Sequence, residues 1–111
     1  MKFFKNDRNE HIKANSPQNI SLKNILKEVD RFPTQDEFEC YFIGIINDKN
    51  EIIQFTRFER DDWFLDFPVI VDGDYSHSLQ FDLTTKQLKE IIGKFFRGED
   101  WRTLIGLTNS K

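Results

Sequence analysis

The sequence predicts an α+β fold in two layers: an antiparallel four-stranded meander with an N-terminal helix and a C-terminal amphipathic helix packed on the sheet. Three observations carry this reading. Apolar residues recur at helical spacing over 21–32 and again over 83–98, the pattern of helices with one buried face. Between these segments, residues 38–82 hold apolar runs and alternation, the two-residue period of strands. The turn signals NDKN at 47–50, ERDD at 59–62 and Asp72-Gly73 divide that interval into four.

Each element has a local reason. Residues 1–20 are polar, with NSPQN at 15–19 reading as a turn, and hold at most a short strand. In SLKNILKEVDRF (21–32), Leu22, Ile25, Leu26 and Val29 line one helix face behind Ser21 as N-cap, and Pro33 closes the segment. FECYFIGII (38–46) is apolar at almost every position, as in a strand buried on both faces. By parity Cys40 joins Phe38 and Phe42 on an apolar side, while Glu37, Glu39 and Tyr41 point outward. EIIQFTRFE (51–59) is the partner strand.

In WFLDFPVIV (63–71), Trp63, Leu65, Phe67, Val69 and Val71 share one face, and Phe64, Asp66, Pro68 and Ile70 the other. Proline has no N–H for a ladder, so this strand is interrupted at Pro68 or faces no neighbour there. Asp72-Gly73 signals a type I′ hairpin, whose positive φ glycine supplies without steric cost. DYSHSLQFD (74–82) alternates, with Tyr75, His77, Leu79 and Phe81 on one side. In LTTKQLKEIIGKFFRG (83–98), Thr84 and Gln87 form a capping box. Leu88, Ile91, Ile92, Phe95 and Phe96 make the apolar stripe, and Gly98 ends the helix. EDWRTLIGL (99–107) reads as a short closing helix or turn.

A chain of 111 residues is expected to form one domain. Twelve phenylalanines within a hydrophobic fraction of 38% provide enough large side chains for a core. One cysteine and two histidines, Cys40, His11 and His77, cannot form a disulfide within the chain or a standard structural zinc site. The opening MKFFKNDRNEHIK lacks a secretory apolar core, and no window approaches a membrane span, so a cytoplasmic location is expected. The net charge of −3 divides unevenly: residues 1–32 carry +3, residues 33–82 carry −9 and residues 83–111 carry +3. So acidic a centre disfavours a nucleic-acid backbone and favours a basic protein partner.

FERDDWFLDFPVIVDGDY (58–75) resembles a carboxylate cluster until alternation is applied. Asp62 and Asp66 lie on one side of a strand, but four residues apart is about 13 Å, too far to chelate one ion. Asp72 and Asp74 flank a turn without the other ligands of a calcium loop, so no metal is expected. His77 reads as a core or rim histidine with a hydrogen bond rather than a general base. Cys40 reads as a small buried hydrophobe rather than a nucleophile. There is no Gly-rich phosphate loop, and no cofactor is expected. The remaining candidates form an acidic, aromatic surface for a protein partner: Glu59, Asp61, Asp62, Phe64, Asp66, Asp72 and Asp74. Phe64 covered by the N-terminal helix is the structural alternative.

With the elements in order, the layout resembles small bacterial immunity proteins of polymorphic toxin systems, which bind and neutralise a cognate toxin. The similarity runs from about Ser16 to Trp101, through SPQNISLKNILKEVD, the IIQF of the meander and LTTKQLKEIIGKFFRGEDW. It implies a non-enzymatic binding domain and transfers no toxin-binding positions. The alternatives are a small enzyme or ligand-binding domain with a cleft near His77, Asp72 and Asp74, and a homo-oligomer that buries the outer sheet face.

Overall fold

Phe3 and Phe4 are successive residues of one strand, and both are buried. Neighbouring strand residues face opposite ways, so this opening segment has apolar cover on both sides. The computed structural model describes residues 1–7, 10–35 and 40–101. In it the polar N-terminal segment contributes three strands, β1 (Lys2–Asn6), β2 (His11–Ile12) and β3 (Gln18–Asn19). Then follow α1 (Leu22–Arg31), β4 (Phe42–Ile46), β5 (Ile52–Glu59), β6 (Asp62–Val71), β7 (Asp74–Leu83) and α2 (Thr85–Phe96).

The strands form one antiparallel sheet in the order β2-β1-β4-β5-β6-β7, with β3 also paired to β1. The expected meander is β4 to β7, but among the described residues the sheet has seven strands rather than four. The missed addition is β1, which lies along β4 with Phe4 opposite Gly44. A Cβ on Gly44 would stand 2.1 Å from the tip of the Phe4 ring, so the glycine makes room for the aromatic. Phe42 completes the contact edge-on, its centroid 6.2 Å from that of Phe4.

Both helices pack on the same side of the sheet. From α1, Ile25 and Val29 are buried, and Phe32 at its end lies 6.0 Å from the ring of Trp63. From α2, Leu88, Ile91, Ile92 and Phe95 are buried, and Trp63 donates from Nε1 to Thr85 Oγ1 at 3.0 Å. Beneath them lie Ile43, Ile45, Ile53, Phe55, Trp63 and Leu65, each at most 1% exposed. The N-termini form as the residues dictate. Ser21 Oγ accepts from Asn24 N at 3.2 Å, and Thr84 and Gln87 exchange the two bonds of a capping box.

Several local expectations are corrected. The strand expected over 38–46 is β4, Phe42–Ile46; Phe38, Glu37 and Glu39 lie outside the described residues. Tyr41, expected to point outward, is 3% exposed. Gln35 holds its backbone, donating to the Tyr41 carbonyl and accepting from its N–H, so a side chain braces the residue that leads into β4. Cys40, expected on an apolar side, is exposed, because it precedes the strand and parity does not reach it. His77, expected in the core or at its rim, is exposed as well.

At Pro68 the ladder explains itself: the β5–β6 pairing ends at Gln54 opposite Asp66, two residues before the proline. The β6–β7 turn has positive φ at Asp72 (52°) and Gly73 (84°), as a type I′ turn requires. The closing segment expected over 99–107 lies mostly outside the described residues; Trp101 is buried, its ring 5.1 Å from that of Phe67.

Candidate functional site

Because both helices cover one face, the other face of β5, β6 and β7 has no second layer among the described residues. Register places on it Gln54 and Thr56 from β5, Phe64, Asp66, Pro68 and Ile70 from β6, and Tyr75, Ser78, Gln80 and Asp82 from β7. Tyr75 reaches this face through an irregularity. Val69 pairs with His77 but Ile70 pairs with Tyr75, so Ser76 is an extra residue and parity reverses across it. The Tyr75 hydroxyl and Ser78 Oγ lie 3.0 Å apart. Phe58 follows Gln54 and Thr56 onto the same side by plain alternation, its ring centroid 5.9 Å from that of Phe64.

The face is therefore aromatic and aliphatic at both ends. Phe58, Ile70 and Tyr75 are 48%, 58% and 63% exposed. Asp66 stands between Gln54 and Gln80 in the neighbouring strands, and its Oδ1 is buried without a hydrogen-bond partner among the described residues. A carboxylate oxygen in that position is costly unless a donor reaches it. From residue 61 to residue 85 the chain carries six aspartates and no lysine or arginine.

The structure divides the seven residues predicted to bind a partner. Phe64 and Asp66 lie on the helix-free face. Glu59, Asp61 and Asp62 lie at one end of β6, and Asp72 and Asp74 at the other, about 30 Å away for a ten-residue strand. Asp61 is already engaged, its Oδ1 accepting from Thr85 N at 2.8 Å. That backbone hydrogen bond, with one to the Thr85 side chain, lowers the Asp61 pKa below the usual carboxylate value. A carboxylate at a helix N-terminus also meets the positive end of the helix dipole. Asp61 thus secures α2 to the β5–β6 turn. Phe58, Ile70 and Tyr75 were not among the predicted partner residues: alternation already set Ile70 beside Phe64 and Asp66, whereas the extra residue Ser76, which moves Tyr75 across, leaves no mark on the alternation.

The cleft considered near His77, Asp72 and Asp74 does not bring those groups into an enclosed site. All three are exposed on or beside the β6–β7 turn, and His77 Nδ1 is 3.0 Å from the hydroxyl of its neighbour Ser76. Among the described residues no group of three or more His, Cys, Asp or Glu side chains is placed to hold a metal ion. No helix of the described residues is long and apolar enough to cross a membrane.

A second concentration of charge is structural. Lys5 is 6% exposed, and its Nζ lies 2.6 Å from Glu28, 3.0 Å from Asp7 and 3.1 Å from Glu10. Burial pulls the Lys5 pKa down, but hydrogen bonds to the three carboxylates, Glu28 first, outweigh it and hold it above the usual lysine range. Glu28 also pairs with Arg31. The cluster ties β1 to α1. Comparison with protein-family models, curated proteins and solved structures returns no match.

Proposed function

We propose that this chain is a non-enzymatic protein-binding domain whose helix-free sheet face takes a basic protein partner. On the resemblance of its layout to small immunity proteins, we infer that the partner is a bacterial toxin domain that it neutralises. The observation that supports the reading is the face itself: Phe58 edge-on to Phe64, with Ile70 and Tyr75 exposed and Asp66 and Asp82 among them. Exposed apolar groups gathered on one face mark interaction surfaces, aromatics anchor them, and charges set orientation and encounter rate. A partner whose lysines or arginines approach this face meets no cation between residues 61 and 85.

The test is co-expression with the C-terminal domain encoded by the reading frame immediately upstream. Restored growth of cells otherwise arrested by that domain, and a complex that co-purifies, are expected. Continued arrest with the chain folded and abundant overturns the reading. Asp66→Lys with Phe64→Ala should weaken the complex and leave the fold intact. Equal binding by that variant moves the interface elsewhere.

A further inference from the structure

The two edges of the sheet are finished differently. On one side β1 is closed by β2 opposite Lys5 and Asn6 and by β3 opposite Lys2 and Phe3. On the other, β7 pairs with β6 alone among the described residues, along ten residues. Edge strands are ordinarily blunted by lysine, proline or a bulge, because a bare row of N–H and C=O groups is a template for another strand. β7 has neither Lys nor Pro. Its irregularity, at Ser76, lies near the hairpin turn, and from His77 to Leu83 the register with β6 runs without a break.

We propose that the outer edge of β7, from His77 to Leu83, accepts an extended segment of the protein partner as a further strand, with basic and apolar side chains alternating along it. The alternation is set by what β7 presents on its two sides. Toward the helix-free face it offers Ser78, Gln80 and Asp82, with Asp66 one strand further in. Toward the helix side it offers Leu79 and Phe81, both half-buried at the rim of the core. Side chains directly opposite on paired strands lie about 5 Å apart. Lysine or arginine at alternate positions therefore meets Asp82 and Gln80, and apolar residues between them cover Leu79 and Phe81. Backbone hydrogen bonds supply affinity and this alternation supplies selectivity. A second copy of the chain fits less well, because each β7 brings Asp74 and Asp82 and no lysine or arginine, and like charges across a strand pair repel.

The proposal rests on the partner being a basic protein, and its test reads the edge separately from the face. The full chain is titrated with a nine-residue peptide alternating lysine and valine. The same peptide with two adjacent central residues N-methylated removes backbone donors on both of its edges. Amide exchange and backbone NMR are followed on the protein. The expected result is slowed exchange at alternate amides of His77–Leu83, cross-strand contacts to Leu79 and Phe81, and binding weakened about tenfold or more by N-methylation. Gln80→Lys, at an exposed position, should abolish the slowed exchange in a folded protein.

Four results overturn the proposal: no binding, binding indifferent to N-methylation, changes confined to Phe58, Phe64 and Asp66, or an edge already paired in the free chain. Concentration-dependent pairing would make a second copy the occupant, and contacts from residues 102–111 would make it the chain's own end. If the peptide fails while Asp66→Lys with Phe64→Ala still weakens the co-purified complex, the edge proposal falls and the face reading stands.

Discussion

Gly44→Ala tests the contact that joins β1 to the rest of the sheet. The added methyl carbon would lie 2.1 Å from Phe4 Cζ and 2.6 Å from each Cε, whereas carbon atoms rest about 3.5–4.0 Å apart. The ring must therefore retreat by roughly 1.5 Å or leave. Phe4 is 4% exposed and flanked edge-on by Phe42, so retreat displaces a second aromatic, and leaving exposes the first. Overpacking costs about 1–3 kcal/mol and loss of a buried phenylalanine about 3–5, which sets the expectation at about 2–4 kcal/mol.

For a domain of this size that is a large share of total stability and lowers Tm by about 10–20 °C. Urea unfolding followed by tryptophan fluorescence measures it. Phe4→Ala with Gly44→Ala provides the internal control: the double variant should be no less stable than Phe4→Ala alone, because the clash needs both groups. A loss below about 0.5 kcal/mol for Gly44→Ala, or additive losses in the double variant, would refute the packing of β1 against β4.

Further outcomes follow from the charged groups. Lys5→Met leaves Asp7, Glu10 and Glu28 facing one another and should cost about 2–4 kcal/mol near neutral pH; denaturant melts check it. Because the folded-state pKa of Lys5 is raised, its contribution is complete below about pH 10 and lost as pH rises through the folded-state value, so Lys5→Met should flatten the alkaline limb of the stability curve. The Asp61 pKa is lowered, so its contribution is present above the ordinary aspartate range and lost on acidification; the difference in Tm between Asp61→Asn and the parent should vanish in acid. Asp66→Thr removes a buried oxygen without a partner in favour of a good strand former, and should raise stability by about 1 kcal/mol while weakening the partner complex. Equilibrium unfolding and co-purification measure the two effects.

Periodicity and capping chemistry were legible because both act over a few neighbouring residues. Ser21 and Thr84 cap α1 and α2, Asp72-Gly73 turns between β6 and β7, and the buried face of Trp63, Leu65 and Phe67 follows from alternation alone. The acidic character of residues 61–85 and the resolution of their carboxylates into two turns and one face position were equally local. β1 was not legible: Phe3-Phe4 carries no alternation over five residues, and its partner Gly44 is forty positions away. Side-chain parity failed for Tyr75, where the ladder slips at Ser76, because an extra residue reverses every face beyond it.

The sequence by itself determined that this chain alternates between helix and antiparallel strand, and that its centre is acidic. Only the tertiary structure decided that both helices share one side. That placement depends on long-range packing around Trp63 and on the Lys5–Glu28 bridge, which no local pattern encodes, and it leaves Phe58, Phe64, Asp66 and Tyr75 together on the uncovered face.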